Sequence, residues 1–181
     1  MKTYVISDTH FGHANIIKLA DRPFKNVDEM NKTIINNWNS IVNDEDIVYI
    51  LGDFSFKGKN ADYYAKQLKG RKILIKGNHD KIDKESRKCF EKILNYAEIE
   101  IDNQIYILTH YPILSWNKMY GGSIQLYGHL HKNSKYFENI TLPNAFCVNC
   151  EFRNYSPVEI KKFKMFKEDF IEYTEMMLRR K

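Results

Sequence analysis

The stretch "LYGHLHKN", Leu126 to Asn133, closes an apolar run with two histidines one residue apart. In extended backbone, side chains two apart point the same way, so His129 and His131 could face one common object. Four other apolar runs end in similar donors: Asp8-Thr9-His10, Gly52-Asp53, Gly77-Asn78-His79-Asp80 and Thr109-His110. Imidazole nitrogen and carboxylate oxygen together suit Mn, Fe, Zn or a similar divalent ion, and the set contains no thiolate of the kind that builds structural zinc sites. Asp8, His10, Asp53, Asn78, His110, His129 and His131 make seven donors. That is too many for one catalytic ion that keeps an open position. It is about right for two ions roughly 3.5–4 Å apart that share a carboxylate. Asp53, alone in its motif, is the natural bridge.

These residues need a frame that brings five distant places together. The runs "TYVIS", "DIVYIL", "KILIK", "QIYILT" and "SIQLY" have the length and the β-branched and aromatic content of strands. Between them, "DEMNKTIINNWNSIV" spaces Met30, Ile34, Trp38 and Ile41 by three and four, which predicts an amphipathic helix. "NADYYAKQLKG", ending at Gly70, and "KESRKCFEKILNY" predict two more. Strands alternating with helices point to an α/β fold with buried sheets, whose strand ends on one edge build the site. Asp102-Asn103, between two strand-like runs, reads as a hairpin turn, so the sheet is mixed rather than purely parallel. From Val158 to Lys181, Phe163, Phe166, Phe170, Tyr173 and Met177 recur at helical spacing among lysines. This predicts a C-terminal amphipathic helix docked on its own domain.

With 181 residues, 43% apolar and 28% charged, the chain is sized for a single domain, 1–181, with a full core. It has no repeat, linker or apolar run of membrane-spanning length. The start, "MKTYVISD", leads straight into a strand, and a cytoplasmic location is expected. Three cysteines, Cys89, Cys147 and Cys150, fit a reducing compartment better than a disulfide framework. The Cys147–Cys150 spacing has no second pair and reads as two small residues on or near a strand. A net charge of +5, spread along the chain, suits an anionic partner but is weaker than the footprint of most nucleic-acid binders. Arg22 in "DRPF" is the candidate for a bidentate phosphate contact, with Arg153 in "FRNY" behind it, and Lys57 and Lys59 are assigned to solvent.

"SDTH", "GDF", "GNHD", "TH" and "GHLH", in that order, resemble the full signature of the calcineurin-like metallophosphoesterases. The motifs run from Asp8 to His131, about two-thirds of the chain, and five elements in fixed order are far more specific than any one alone. "SDTHFGHANII" and "EFRNYSPVEI" are similar to small single-domain bacterial and phage members. The resemblance implies a four-layer αββα sandwich, two mixed β-sheets flanked by helices. It implies one metal held by Asp8, His10, Asp53 and His131, and a second by Asp53, Asn78, His110 and His129. His79 would be a catalytic group near the leaving oxygen, with Asp80 orienting its ring. His13, the one histidine outside the pattern, is left to a loop or helix start, close to His10. The implied activity is hydrolysis of a phosphoester by hydroxide activated between two divalent ions. Manganese is the leading expectation, with iron, zinc, nickel and cobalt as alternatives. A small or cyclic nucleotide-type diester is the expected substrate. A phosphomonoester, a nucleic acid, or a non-catalytic scaffold role are the alternatives, the last disfavoured because every position is present.

Overall fold

The computed structural model describes residues 1–58, 60–134 and 144–164. Its strands are β1 (Thr3–Ile6), β2 (Ile47–Ile50), β3 (Arg71–Ile75), β4 (Lys92–Leu94), β5 (Ala97–Ile101), β6 (Gln104–Leu108), β7 (Ile124–Tyr127), β8 (Ala145–Cys147) and β9 (Val158–Glu159). Helices α1 (Ile16–Leu19), α2 (Val27–Ile41), α3 (Ala61–Ala65) and α4 (Lys84–Arg87) lie between them. The five predicted apolar runs fall on β1, β2, β3, β6 and β7.

Two mixed sheets form. One has the order β4-β3-β2-β1-β9, parallel except for β9; the other has the order β5-β6-β7-β8, parallel except for β5. The antiparallel pair β5–β6 is the hairpin expected at Asp102-Asn103. Ile101 pairs with Gln104, and both turn residues have positive φ, 50° and 62°, as a type I′ turn requires.

The two sheets face each other across Val5, Leu51 and Ile75 from the first and Leu108, Ile124 and Leu126 from the second. Because strand side chains alternate, the neighbouring Tyr4, Ile6, Val48, Ile50 and Leu74 point the other way, towards the helices. There α2 inserts Met30, Ile34 and Trp38, all fully buried, as its three-and-four spacing predicts. Asn26 starts this helix by accepting a hydrogen bond from the Glu29 amide at 2.9 Å, while the Glu29 carboxylate accepts from the Lys25 amide. On the outer face of the second sheet, Trp116 and Met119 cover Ile107 through a 3-10 turn at Met119–Gly121.

Two expectations are corrected. "KESRKCFEKILNY" is helical only over Lys84–Arg87, where Asp83 caps the Ser86 amide. Its second half becomes β4, paired parallel to β3 from Ile73↔Lys92 to Ile75↔Leu94. The open edge of β3 offers backbone partners that helical periodicity does not reveal. The C-terminal helix expected from Val158 does not begin there. Val158 and Glu159 pair antiparallel with β1, and Ile160–Lys162 form a 3-10 turn that buries Ile160. Residues 165–181, including Phe166, Phe170, Tyr173 and Met177, lie outside the described residues.

Trp38 joins α2 to the first sheet and donates its indole N–H to the Lys69 carbonyl at 2.9 Å. Trp38→Ala is expected to lower the unfolding free energy by about 3–5 kcal/mol, the range for truncating a large buried aromatic. Urea denaturation followed by circular dichroism checks this.

Candidate metal centre

Parallel pairing sends the carboxyl ends of β1, β2, β3, β6 and β7 to one edge of the sheet pair, where α/β folds build their sites. Asp8 and His10 follow β1, Asp53 follows β2, and Asn78, His79 and Asp80 follow β3. His110 follows β6, and His129 and His131 follow β7. The loops are tied to each other: the Asp8 amide donates to the Gly52 carbonyl at 3.0 Å, His10 to Asp53 at 2.9 Å, and Gly128 to His110 at 2.9 Å. Asp8, His10, Asp53 and His129 all sit at positive φ, 56°, 49°, 53° and 66°. Non-glycine residues seldom adopt this conformation, which costs on the order of 1–3 kcal/mol each and clusters at functional sites.

Two glycines make room for the carboxylates. A side chain at Gly77 would collide with the Asp53 carboxylate and amide, and one at Gly128 would meet Asp8 Oδ2 at 2.6 Å and Ser7 Oγ at 2.5 Å. The glycines of "GNHD" and "GHLH" therefore serve close approach, beyond the tight turns their sequence context suggests.

The donors gather into two groups, Asp8–His10–His131 and Asp53–His110–His129, in each of which the ligand atoms lie within 4.8 Å of one another. Asp53, a member of the second group, also faces the first. Its Oδ2 is 3.6 Å from His10 Nε2 and its Oδ1 is 3.7 Å from His110 Nε2. Asn78 Oδ1 lies 3.1 Å from His110 Nε2, which places it with the second group. The two histidines of "GHLH" thus go to different groups.

The donor set fits divalent cations on independent grounds. His10 Nε2 is buried and has no hydrogen-bond partner, an arrangement that costs free energy unless something completes it. His110 Nδ1 lies 2.8 Å from the Leu51 carbonyl, which can only accept, so a proton on Nδ1 is satisfied there while Nε2 faces the centre. His131 Nδ1 is held the same way by Glu151 Oε1 at 2.7 Å. Burial, and then the nearby Arg22 and imidazoles, hold His10 well below the usual histidine range; burial and His110 lower His129. Both rings are therefore neutral and able to coordinate near pH 7. Burial pushes the fully enclosed Asp8 carboxyl up to about 6, against the opposing pull of His110, His131 and the Ser7 hydroxyl.

Other expectations meet a different geometry. Arg22 is not available to a substrate. Its side chain is wholly buried, with Nε and Nη2 each 2.9 Å from Glu151 Oε1, Nη2 on the Asp8 carbonyl at 2.7 Å and Nη1 on the Thr9 carbonyl at 3.2 Å. Asp80 accepts from the backbone amides of Asp53, Phe54 and Gly77 at 2.8–2.9 Å, and both its oxygens are used there rather than on the His79 ring. It shapes the loops that carry Asp53 and Asn78. His79 donates its amide to Asp53 Oδ1 at 2.9 Å, and its ring, one-third exposed, places Nε2 3.9 Å from Asp53 Oδ2. His13 approaches His10, Nδ1 to Nδ1, at 3.4 Å and stacks on Phe56. Arg153 donates to the Cys147 carbonyl, and Lys57 lies over the Phe56 ring; Lys59 is outside the described residues. Cys147 and Cys150 are buried free thiols, each pushed up to about 12 mainly by burial, so neither supplies a thiolate.

Glu151 is the residue that motif reading missed. It orients His131, accepts from the Lys132 amide at 3.1 Å and neutralises Arg22, which in turn holds the backbone carrying Asp8. A strand-end signature cannot reveal it, because Glu151 lies twenty residues past His131 in a 3-10 turn at Cys150–Phe152.

The calcineurin-like phosphoesterase superfamily domain matches residues 1–148, and the chain belongs to that family. Uncharacterized protein MJ1445 of Methanocaldococcus jannaschii is 42% identical over 164 residues, with 88% of this chain and 87% of that protein covered. The Gene 66 protein of Mycobacterium phage L5 is 27% identical over 160 residues, covering 71% of this chain and 77% of its own. Among solved structures, a protein of unknown function from Aquifex aeolicus, AQ665, superposes with a TM-score of 0.72 at 32% identity, covering 89% of this chain and 96% of that one. Among the described residues, no helix is long and apolar enough to cross a membrane.

Two outcomes are expected. A raised carboxyl must release its proton when a cation binds, so the affinity of metal-free protein for Mn²⁺ should fall as pH drops through about 6, the value to which burial moves Asp8, by up to about tenfold per pH unit below it. Calorimetric titration between pH 5 and 7.5 reads this directly. Glu151→Gln should weaken binding by about 10–100-fold, as loss of a ligand-orienting carboxylate does. The same variant should lose about 3–5 kcal/mol of stability, measured in chelator, because Arg22 is left buried without its counter-ion.

Proposed function

We propose that the protein is a phosphoester hydrolase that works with two divalent cations, manganese foremost, and favours small nucleotide-type diesters. The observation that carries this reading is the position of Asp53, buried between two His/Asp groups with one carboxylate oxygen turned towards each. Asp8, His10, Asp53 and His131 would hold one cation, and Asp53, Asn78, His110 and His129 the other. When bound, such a pair supplies Lewis acidity and ionises water near neutral pH.

The chain's own groups supply the rest. Two aspartates against two divalent cations leave the cavity positive, and Asn78, a neutral donor, spares that charge for a phosphate. His79 is anchored through its amide to Asp53 while its ring stays accessible, which suits it to pass a proton to the departing alkoxide. Asp80, by gathering three backbone amides, keeps Asp53 and the His79 loop in fixed relation. A reducing compartment such as the cytoplasm suits the three free cysteines.

The test starts from metal-stripped protein reconstituted with one ion at a time and assayed on mono-, di- and cyclic phosphoesters. Manganese is expected to restore hydrolysis of bis-p-nitrophenyl phosphate. His79→Ala should lower kcat by about 10²–10⁴-fold, the usual contribution of a positioned proton donor, while manganese affinity is retained. Turnover that survives complete chelation would sink the proposal.

A further inference from the structure

Beside the metal centre, at the carboxyl ends of β3 and β6, lies a cleft of about 340 Å³. His110 lines it together with Tyr96, Tyr111, Ile113, Asn95 and Lys76. Both tyrosines stay open to solvent, Tyr96 at 41% and Tyr111 at 47% exposure. Neither ring hangs loose. Tyr111 packs edge-on against His110 and His129, with centroids 4.8 and 4.7 Å away, and its hydroxyl lies 3.4 Å from Asn78 Oδ1. Its carbonyl is fixed by the Thr109 hydroxyl at 2.8 Å and by the buried Gln125 amide. The Tyr96 hydroxyl donates to Glu98 at 2.5 Å, and Asn117 holds the other oxygen of that carboxylate at 2.8 Å.

Two exposed aromatic rings, oriented in advance by the protein, present stacking surface at little ordering cost. The Asn95 side chain offers both a donor and an acceptor, the pairing that the edge of a nucleobase requires. His110 and Tyr111 border both the cleft and the donor groups, so the cleft lies beside a group joined to phosphorus there. We propose that this cleft binds the base of a nucleotide ester, with Tyr96 and Tyr111 as its stacking surfaces. The proposal rests on the phosphoesterase reading for the position of the phosphate, and it adds where selectivity for the organic group resides. Lys76 favours an anionic occupant of the same cleft, and the test separates the two.

The experiment is calorimetric titration of manganese-loaded protein at 4 °C with adenosine 5′-monophosphate and with ribose 5-phosphate, which carries a hydroxyl where the nucleotide carries its base. The nucleotide is expected to bind about tenfold tighter, in line with one base stacked on aromatic side chains. Tyr96→Ala should erase most of that advantage, with ribose 5-phosphate affinity serving as the internal check on folding and metal loading. Equal affinities in the unaltered protein would overturn the proposal, and so would an advantage that survives Tyr96→Ala. Turnover of bis-p-nitrophenyl phosphate is measured separately. A base preference without turnover would count against the hydrolase reading alone, and turnover without base preference against the cleft alone.

Discussion

A carboxylate shut away from water has to find compensating charge or hydrogen bonds, and Asp53 sets that requirement for the whole molecule. It is 2% exposed, at the meeting point of two sheets, with imidazoles from His10 and His110 on its two sides and the His79 amide on one oxygen. Everything around it serves to keep this arrangement in place. The parallel strands bring their ends to one edge, positive-φ residues turn the chain back at that edge, and glycines let backbone lie against carboxylate. A second carboxylate, Asp80, spends both oxygens on amides and so converts a flexible loop into a fixed wall.

The Arg22–Glu151 pair plays the corresponding part on the other side. Buried ion pairs are weak sources of net stability, because desolvation offsets the attraction. Their effect here is positional. Arg22 grips the carbonyls of Asp8 and Thr9, Glu151 grips His131, and the two grip each other. The first motif after β1 and the last after β7 are thereby held in register by residues that belong to neither. An arginine near this cluster of Asp and His residues reads from sequence as a phosphate contact; burial assigns it to the frame instead.

The strands and the donors were legible because both leave strong local marks. Five apolar runs of strand length ended in Asp, Asn or His, and the structure brings Asp8, His10, Asp53, Asn78, His110, His129 and His131 to one edge. The Asp102-Asn103 hairpin was legible for the same reason, since its turn chemistry is contained in two residues. What escaped depends on distant partners. Lys92–Leu94 has the periodicity of a helix and becomes a strand because β3 has a free edge. Val158 and Glu159 leave the helical pattern to pair with β1. Asp80 acts on a backbone amide 27 residues away and Glu151 on an arginine 129 residues away, so no spacing rule could assign their roles.

One feature bears on how the chain reaches its native state. The first sheet contributes Asp8, His10, Asp53 and Asn78, and the second contributes His110, His129 and His131. Both donor groups draw on both sheets. Neither group is therefore complete until the two sheets pack together, and an ion seated here would tie one slab to the other. A cation held there would favour the docked pair of sheets over the separated ones, because only the docked pair presents either group whole.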